Sequence, residues 1–412
     1  MKKYACMAAL AAAFMLGGCS DNADSPGNPE PGTTPATEWK GQKPLKEIAA
    51  KNVGKANGFA IDLFRSIFKS QGNNVCISPT SVMAVFAMMA NGDDGATRDE
   101  ILEILGYDKG ENGLADLNTY CNALMAEAVS TEGVTRCEFT NSIWHDPTLP
   151  IMTQFASDIE NIFDGTLFPI WLGDQAGMNA VNEFVNEHTY GMIPELLTEP
   201  MNVRLAVLNT TYFKGTWENE FDKKYTRDAI FHNADGTDSE TPFMWMHTDM
   251  TYCSHGNMRG VVLPYGGDRY TMTVIQPSDG IDLDTMLAGL NPTTLSELHK
   301  SARNTEVVLN FPKFETEINI EIDQSLREMG FQKVYSPGIN KASDHYLHLV
   351  KVIHAVKIIV DEEGTEAAAA TIAANTDSVP DYEIMTFTRP FVYLIKDNIS
   401  DTILFMGAIT SF

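Results

Sequence analysis

A long connection near the C-terminus constrains the fold of this chain more than any other feature. Residues 356–360 and 391–395 both have the apolar, β-branched composition of strands, and about thirty residues separate them. Loops of that length are uncommon inside compact domains, and most of them are functional or disordered. The fold therefore has to accommodate a long segment between two strands.

The first half of this connection has the composition of a segment that could become a strand. Residues 364–374 are small or β-tolerant, contain no proline and carry one charge, on Glu366. Read with a period of two, one face holds only small residues, which are Thr365, Ala367, Ala369, Thr371 and Ala373. Such a face is small enough to pass beneath an existing sheet. An alanine-rich helix or an unstructured linker is the alternative.

The N-terminus has the features of an export signal. Lys2 and Lys3 precede an apolar run at residues 5–16, which is shorter than the roughly 20 residues that a bilayer span needs. The LGGC sequence that ends at Cys19 resembles a bacterial lipoprotein signal, which predicts a signal peptide at residues 1–18 and lipidation of Cys19. An ordinary secretory signal that is cut nearby is the alternative. The lipoprotein interpretation predicts a lipid-anchored protein of the bacterial cell envelope, with the outer membrane favoured and the membrane face left open.

The rest of the chain divides into a tether and one large domain. Residues 19–44 are polar and rich in proline, and the prolines are Pro26, Pro29, Pro31, Pro35 and Pro44. This composition predicts an extended flexible segment. Apolar periodicity then continues from residue 45 to residue 412 without a second interruption rich in proline and glycine. We predict one domain over residues 45–412, which is above the usual domain size.

The order of the predicted elements indicates an α+β fold. Apolar residues recur with helical spacing at 56–69, 81–90, 97–105, 114–129, 152–162 and 176–188. Apart from a short run at 74–79, strand-like runs come later, at 203–213, 239–246, 259–265, 270–276, 305–312 and 350–360. Helices followed by strands predict large mixed or antiparallel sheets that pack against an N-terminal group of helices.

The sequence lacks the usual motifs of catalysis and of metal binding. It contains no GxSxG, HExxH, P-loop or GxGxxG sequence. Its histidines are scattered, and the cysteines of the domain show no CxxC spacing; they are Cys76, Cys121, Cys137 and Cys253. We therefore predict no catalytic residue, no metal and no cofactor. Buried thiols are the expected state of these cysteines, although export would also permit disulfides.

Six motifs, in the expected order, resemble those of the serpin family, and the resemblance runs from about residue 45 to residue 412. They are NVCISPTS at 74–81, VNEHTYGMIP at 185–194, LNTTYFKGTW at 208–217, EEGTEAAAA at 362–370, FTRPFVYLI at 387–395 and ILFMG at 403–407. Two positions depart from the family pattern. Tyr190 stands where Asn is usual, and Thr388 stands where Asn or Asp is usual.

The resemblance implies a protease inhibitor that acts as a suicide substrate. Residues 361–386 correspond to the exposed reactive-centre loop, and the hinge comprises Glu362, Gly364, Thr365, Glu366, Ala367, Ala368, Ala369 and Ala370. A serine or cysteine protease that attacks the loop forms an acyl-enzyme. The hinge then inserts into the main sheet before water completes hydrolysis, and serpin loop insertion is itself the standard example of such strand addition.

Further residues take roles through this resemblance. Ser78, Ser81, Asn209 and His354 resemble the polar cluster beneath the centre of the main sheet. Trp217 resembles the aromatic residue near the point where the hinge inserts. In the family's spacing, counting from Glu362 places Ser378 before the cut, and counting back from Pro390 places Val379 there. The register is therefore uncertain by one residue, and Asp377 is also possible.

The distribution of charged residues argues against several classes of binding partner. Residues 358–388 contain no Lys or Arg, which argues against trypsin-like targets, since their pocket pairs a basic side chain with a buried acid. Ser378 or Val379 suits elastase-like serine proteases, papain-like cysteine proteases are a further candidate, and a cut after Asp377 would indicate an Asp-directed protease.

The net charge of −26 argues against nucleic acid as a binding partner. Residues 114–129 correspond to the basic helix of heparin-activated serpins but carry Asp116 and Glu127 and no basic residue, so no heparin-like cofactor is expected.

Two other functions stay open at this stage. One is a serpin that does not inhibit proteases and serves as a binding or structural protein, and the other is an enzyme. The consecutive alanines at 367–370 favour inhibition, because non-inhibitory members tend to carry bulky, charged or proline residues in the hinge. The expected state is a monomer that forms a covalent complex with its target protease and contacts the membrane only through the N-terminal lipid.

Overall fold

The computed structural model describes residues 44–128, 135–345, 347–349, 352–362 and 382–412. The predicted signal peptide, the lipidation site Cys19 and nearly all of the predicted tether lie outside these residues. So do the hinge after Glu362 and the predicted reactive bond. The fold described below is that of the large domain.

Nine α-helices are seen in the described residues, six in the first half of this domain and three in the second. They are α1 (Leu45–Gln71), α2 (Pro79–Asn91), α3 (Ala96–Ile104), α4 (Glu111–Ala128), α5 (Thr153–Phe163), α6 (Gln175–His188), α7 (Leu283–Gly289), α8 (Pro292–Lys300) and α9 (Asp323–Glu328). The first helix begins eleven residues before the predicted start at residue 56. Its first turns carry fewer apolar residues than the window that predicted it, but Leu45, Ile48 and Ala49 are buried.

Local sequence explains where α1 ends and α2 begins. The first helix stops at Gly72, which takes the left-handed conformation with φ of 67° that favours glycine. The second helix starts with Pro79, whose fixed φ suits a first helical position, and Ser78 caps it by accepting a hydrogen bond from the Ser81 backbone N–H. Nearly every residue of α2 is buried, as its all-round apolar sequence predicts.

Fourteen strands are seen in the described residues, and most of them lie in the second half of the domain. They are β1 (Val75–Ile77), β2 (Thr135–His145), β3 (Thr166–Phe168), β4 (Leu205–Gly215), β5 (Arg227–His232), β6 (Asp238–His255), β7 (Met258–Pro264), β8 (Tyr270–Pro277), β9 (Arg303–Pro312), β10 (Phe314–Glu321), β11 (Ile353–Val360), β12 (Glu383–Thr386), β13 (Phe391–Asp397) and β14 (Thr402–Ile409). Nine of these strands form one sheet in the order β1-β14-β13-β8-β7-β6-β9-β12, with β5 beside β6. All its pairs are antiparallel except β12 with β9.

The remaining strands form two small sheets. In one of them β2 lies between β3 and β4, and in the other β10 pairs with β11 in antiparallel register, with Ile320 opposite His354. The sequence analysis missed several elements, among them helices α7, α8 and α9 and strands β2 and β10, and it predicted β6 to end at residue 246. The exposed faces of these strands carry charged and amide residues, which hide the apolar signal of the buried face.

The architecture confirms the predicted α+β class, with large sheets packed against N-terminal helices. In the part of the chain that the structure describes, no helix is long and apolar enough to cross a membrane. All four cysteines of the domain are free and buried, which confirms the expectation of thiols rather than disulfides.

Candidate functional site

The two small sheets face each other across a gap. β4 is the last strand of the three-stranded sheet, β11 is an outer strand of the two-stranded sheet, and no ladder joins them although both strands are described in full. A cavity of about 400 Å³ lies between them. Its walls include residues 205–210 of β4 and residues 353–355 of β11, with Val82 and Val85 of α2. Among the described residues, no strand pairs with the facing edges of β4 and β11.

Polar side chains meet at the inner side of this gap. The Ser78 backbone N–H donates to His354 Nε2 at 3.0 Å, and the Ser81 hydroxyl donates to the Asn209 side-chain oxygen. Thus α2 is tied to β11 through one pair and to β4 through the other. The structure brings together all four residues that the resemblance assigned to a polar cluster. The hydrogen bonds of this cluster connect α2 to both small sheets.

Asn141 of β2 is a further member of this cluster that the sequence analysis missed. Asn209 Nδ2 donates to Asn141 Oδ1 at 2.7 Å, and Asn141 Nδ2 donates to the Phe163 carbonyl at 2.7 Å. The two asparagines lie opposite each other on neighbouring strands. No local signal distinguished Asn141, because it is a polar residue in a strand that was itself not predicted.

His354 is held neutral by its surroundings. Its side chain is buried, and burial lowers its pKa to about 4 because a charged imidazole would lose its hydration. Since Nε2 accepts a hydrogen bond from Ser78, the ring proton sits on Nδ1. No described residue accepts a hydrogen bond from that proton, and His354 lines the cavity.

Trp217 lies at the end of the gap where β11 finishes. Its indole Nε1 donates to the carbonyl of Asp361 at 3.0 Å, just beyond the last residue of β11. The ring is buried and stacks on Tyr265 with centroids 4.5 Å apart and planes 13° apart. The indole therefore holds the chain at the first residue after the strand. This is the position near the hinge that the resemblance assigned to it.

Glu362, which the resemblance assigned to the hinge, is the last described residue before residue 382, and its side chain is anchored. The residue is 4 % exposed, and its carboxylate accepts hydrogen bonds from Lys313 Nζ at 2.6 Å and from the Thr226 hydroxyl at 2.7 Å. Burial raises the pKa of this carboxyl, but the hydrogen bonds from Lys313 and Thr226 outweigh it, so the pKa lies below its usual value. Sequence reasoning singled out Glu362 but neither of its partners. The rest of the hinge (Gly364, Thr365, Glu366, Ala367, Ala368, Ala369, Ala370) and the residues Asp377, Ser378 and Val379 lie outside the described residues.

The other face of the gap is covered by α6 and the segment after it, residues 175–203, which we call the cover. Its apolar residues Val181, Val185 and Leu196 pack in one cluster with Trp144 of β2, with Ala206 and Leu208 of β4, and with Ile353 and Ala355 of β11. The cover therefore contacts both small sheets and closes the cavity from outside.

The thiols of the domain are poor nucleophiles. Burial raises the pKa of each of the four cysteines to about 12, so they are protonated at neutral pH. Among the described residues, no three His, Cys, Asp or Glu side chains are grouped so that they could hold a metal ion. What the site offers is therefore two strand edges and the anchored start of a loop.

Comparison with known proteins shows the same architecture elsewhere. The family profile "Serpin (serine protease inhibitor)" matches residues 54–412. Intracellular coagulation inhibitor 1 of Tachypleus tridentatus is 31% identical over 379 residues, which cover 88% of this chain and 89% of that protein. The leukocyte elastase inhibitor of Sus scrofa is 28% identical over 389 residues, which cover 89% of this chain and 100% of that protein.

A solved structure agrees with these relatives. The thermophilic serpin tengpin in its native state has 27% sequence identity and a TM-score of 0.77, over 88% of this chain and 94% of that one. The matched region contains both small sheets, the gap between them and the loop after Glu362. Since the family profile covers well over half of the chain and the fold agrees, this protein belongs to the serpin family.

Proposed function

We propose that this protein inhibits serine proteases as a suicide substrate, and that the protease attacks the segment between β11 and β12. The observation that carries the proposal is the pair of unjoined strand edges, β4 and β11, on either side of one cavity. The segment between β11 and β12 begins at the end of β11, the strand that forms one edge of the gap. The relatives named as inhibitors of coagulation and of leukocyte elastase support the same function.

The proposed chemistry needs only the loop and the protease. The protease serine attacks the carbonyl carbon of the residue before the cut, forms an ester with it and releases the amino group of the next residue. The released part of the chain stays folded, because it contains β13 and β14 in the interior of the large sheet. The upstream part, which carries the ester, is then free to fold back from Glu362 between β4 and β11. Displacement and distortion of the protease prevent the attack of water on the ester.

The burial pattern of β11 fits the small face of the hinge. Alternate side chains of this strand face the core, and they are His354, Val356, Ile358 and Val360. A turn at residues 361–364 would place Thr365 opposite Val360 in an antiparallel pair. The same register places Ala367, Ala369 and Thr371 opposite the other three. Small residues would therefore meet the buried ones, which fills the gap without overpacking it.

This register also provides a partner for the buried histidine. Thr371 would lie opposite His354, with both side chains on the core face. The Nδ1 proton of His354 would then have a hydroxyl acceptor inside the cavity. The inserted form would gain this hydrogen bond in addition to the ladder bonds along β4 and β11.

We propose elastase-like serine proteases as the targets, with papain-like cysteine proteases as a second class. Both form an acyl-enzyme, which aspartic proteases and metalloproteases do not. Ser378 and Val379 suit a small pocket, and the absence of Lys and Arg from residues 358–388 argues against trypsin-like proteases. A relative named as an inhibitor of leukocyte elastase supports this preference.

We also propose that the protein is exported and lipid-anchored in the cell envelope through Cys19. The support is the sequence of the N-terminal 19 residues. Labelling of the expressed protein with a clickable fatty acid tests the proposal. Wild type should be labelled and Cys19→Ala should not, and equal labelling of the two would contradict it.

The inhibitory function is tested by incubating the protein with elastase-like, chymotrypsin-like, trypsin-like and papain-like proteases and separating the products by denaturing electrophoresis. We expect a complex with the elastase-like protease that survives denaturant, and no complex with the trypsin-like one. Clean cleavage of the loop with full recovery of protease activity would contradict the proposal. It would favour the alternative of a serpin that acts as a binding protein.

A further inference from the structure

The nine-stranded sheet carries a row of neighbouring side chains on the outer face of β6, β9 and β12. His247 of β6 lies opposite Val308 of β9, which in turn lies opposite Ile384 of β12. The next residues along β9 and β12, Leu309 and Met385, are fully buried. Successive side chains of a strand point to opposite faces, so the row lies on the face of the sheet that is turned away from the core.

Three aromatic side chains extend this row. The rings of Tyr382 and His247 have centroids 5.6 Å apart, and those of His247 and Trp245 are 6.2 Å apart. Tyr225, two residues before β5, has its ring 5.3 Å from that of Trp245. The six side chains form one surface, which we call the aromatic face, and they are Tyr225, Trp245, His247, Val308, Tyr382 and Ile384.

The aromatic face includes an edge strand, where natural proteins usually place charges. Ile384 is 58 % exposed, more than any other large hydrophobic side chain in the described part of the chain. It lies on β12, an outer strand that pairs only with β9 among the described strands. Charged pairs lie beside the face, since His247 contacts Glu306 at 2.9 Å and Arg303 contacts Glu383. An apolar patch with a polar rim is typical of an interaction site.

The proposed reactive bond lies close to this face. The bond follows Ser378 or Val379, and Tyr382 comes three or four residues later. Four residues span at most about 14 Å, so the bond lies within that distance of the Tyr382 backbone. A protease domain of about 220 residues has a radius of about 20 Å. A protease that holds the bond in its cleft therefore extends far enough to contact the aromatic face.

The size of the aromatic face suits an addition to the loop contact better than a dimer interface. An aromatic side chain buries about 150–250 Å² when it is fully covered, and most of these six side chains are already half-buried, so together they expose roughly 400 Å². A standard interface buries about 800 Å² on each partner. The face alone is therefore too small to hold a second copy of the chain, whereas the protease would bind the loop as well.

We propose that the aromatic face is a second docking surface for the target protease, beside the reactive bond. Its partner is an apolar surface of the protease next to the part of the cleft that binds the residues after the cut. Trp and Tyr side chains that become buried in an interface contribute much of the binding energy. The contact slows dissociation of the protease before the ester forms, and it leaves loop insertion unchanged. The inference rests on the proposed function, since it concerns how the same protease is selected.

The experiment uses the full chain with three substitutions. Trp245→Ala removes the largest ring of the aromatic face. Ile384→Thr keeps a β-branched residue on the edge strand and removes apolar surface. Ile399→Thr is the matched control, because Ile399 is also exposed, at 38 %, but follows the end of β13 that is remote from β12.

Two kinetic quantities are measured with an elastase-like protease, and they separate docking from insertion. The rate constant of inhibition reports docking, because faster dissociation leaves less time for the ester to form. The number of inhibitor molecules consumed for each protease molecule inactivated reports insertion. We expect the rate constant to fall about tenfold in Trp245→Ala, as for a residue that dominates an interface, and by a smaller factor in Ile384→Thr. The number consumed should stay at the wild-type value, and Ile399→Thr should match wild type in both quantities.

A direct measurement of the contact uses the same protease with its nucleophilic serine replaced by alanine, which binds but cannot form the ester. Hydrogen–deuterium exchange of residues 243–249 and 303–310 is compared with and without this protease. We expect slower exchange in both segments when the protease is bound. Should Trp245→Ala not fold, Ile384→Thr and His247→Thr test the same face, and each should lower the rate constant of inhibition.

Wild-type rate constants in Ile384→Thr and in Trp245→Ala or His247→Thr would overturn the docking role, and so would unchanged exchange of both segments. A change in self-association measured by sedimentation, with unchanged inhibition, would overturn it in favour of a second copy of this chain. If wild type forms no complex that survives denaturant, the proposed function fails. That outcome differs from a wild-type complex that forms at the same rate in every variant.

Discussion

Lys313 donates a hydrogen bond to the Glu362 carboxylate at 2.6 Å, two residues after the end of β11 and at the start of the proposed reactive-centre loop. Lys313 separates β9 from β10, so this pair ties the start of the loop to the neighbouring strands of the fold. Trp217 holds the preceding residue through the Asp361 carbonyl. The loop therefore begins from a fixed position beside the edge of β11, which is what a segment that folds back along that edge requires.

The first prediction concerns this ion pair. Glu362→Gln should lower the free energy of unfolding of the uncleaved protein by about 2 kcal/mol, since a hydrogen bond between a buried carboxylate and a lysine is lost. Lys313→Gln should have a similar effect, and the double variant should lose less than the sum. Denaturant unfolding followed by circular dichroism measures all three.

The matched control for this prediction is an exposed pair. Lys300 and Glu297 lie 2.7 Å apart on the surface of α8. Glu297→Gln should change the free energy of unfolding by less than about 0.5 kcal/mol, because exposed pairs contribute little. Additive effects of Glu362→Gln and Lys313→Gln would show that the two residues do not act as a pair.

The second prediction concerns pH. The pKa of His354 is about 4 in the folded protein, against 6.5 for an unperturbed histidine. Between these values the unfolded chain binds more protons than the folded one, so stability falls as the pH falls from 6.5 to 4. Once the pH is below both pKa values, this difference has lowered the free energy of unfolding by about 3 kcal/mol.

The measurement is the free energy of unfolding from pH 7.5 to pH 4, compared between wild type and His354→Gln. Glutamine cannot be protonated in this range, so the difference between the two proteins isolates the histidine. We expect the free energy of unfolding to fall more in wild type than in His354→Gln as the pH falls. Parallel curves would show that His354 does not titrate in this way.

Much of the fold could be predicted from the sequence, because periodicity and composition are local properties. The all-round apolar run of α2 and the alternation in β11 are of this kind. The partners of Glu362 could not be found in this way. Thr226 lies 136 residues and Lys313 lies 49 residues away along the chain, so only the fold brings them to the carboxylate.

The polar cluster shows the same limit. Ser78, Ser81, Asn209 and His354 were assigned through the family resemblance, whereas Asn141 had no motif to mark it. Tyr190 was recognised only as a departure from the family pattern. In the structure its hydroxyl donates to Glu138 and its ring lies against Arg136 and Tyr212. These contacts depend on how the cover crosses the sheet, which no local pattern encodes.

The third prediction tests the face of the hinge that enters the core. Thr365→Arg should convert the inhibitor into a substrate, because the arginine would have to be buried opposite Val360. Glu366→Arg is the control, since the proposed register would place this residue on the other face, where an arginine should still permit inhibition. The number of inhibitor molecules consumed for each protease molecule inactivated measures the difference. Equal values for the two variants would contradict the proposed register.

The fourth prediction locates the cut. Mass spectrometry under denaturing conditions, after cleavage by an elastase-like protease, should detect a C-terminal fragment that begins with Val379. Ser378→Arg should then add inhibition of trypsin-like proteases, because the arginine would pair with the buried acid of their pocket. A fragment that begins with Ser378 would instead place the cut after Asp377, and one that begins with Pro380 would place it after Val379.

The central claim is that the cleaved loop becomes a strand between β4 and β11, and hydrogen–deuterium exchange of the backbone amides in these two strands tests it most directly. The protein is compared before and after cleavage of the loop by an elastase-like protease. The account predicts that edge amides of both strands become strongly protected after cleavage, because each edge gains a hydrogen-bonded neighbour. Unchanged exchange in both strands after complete cleavage would contradict it.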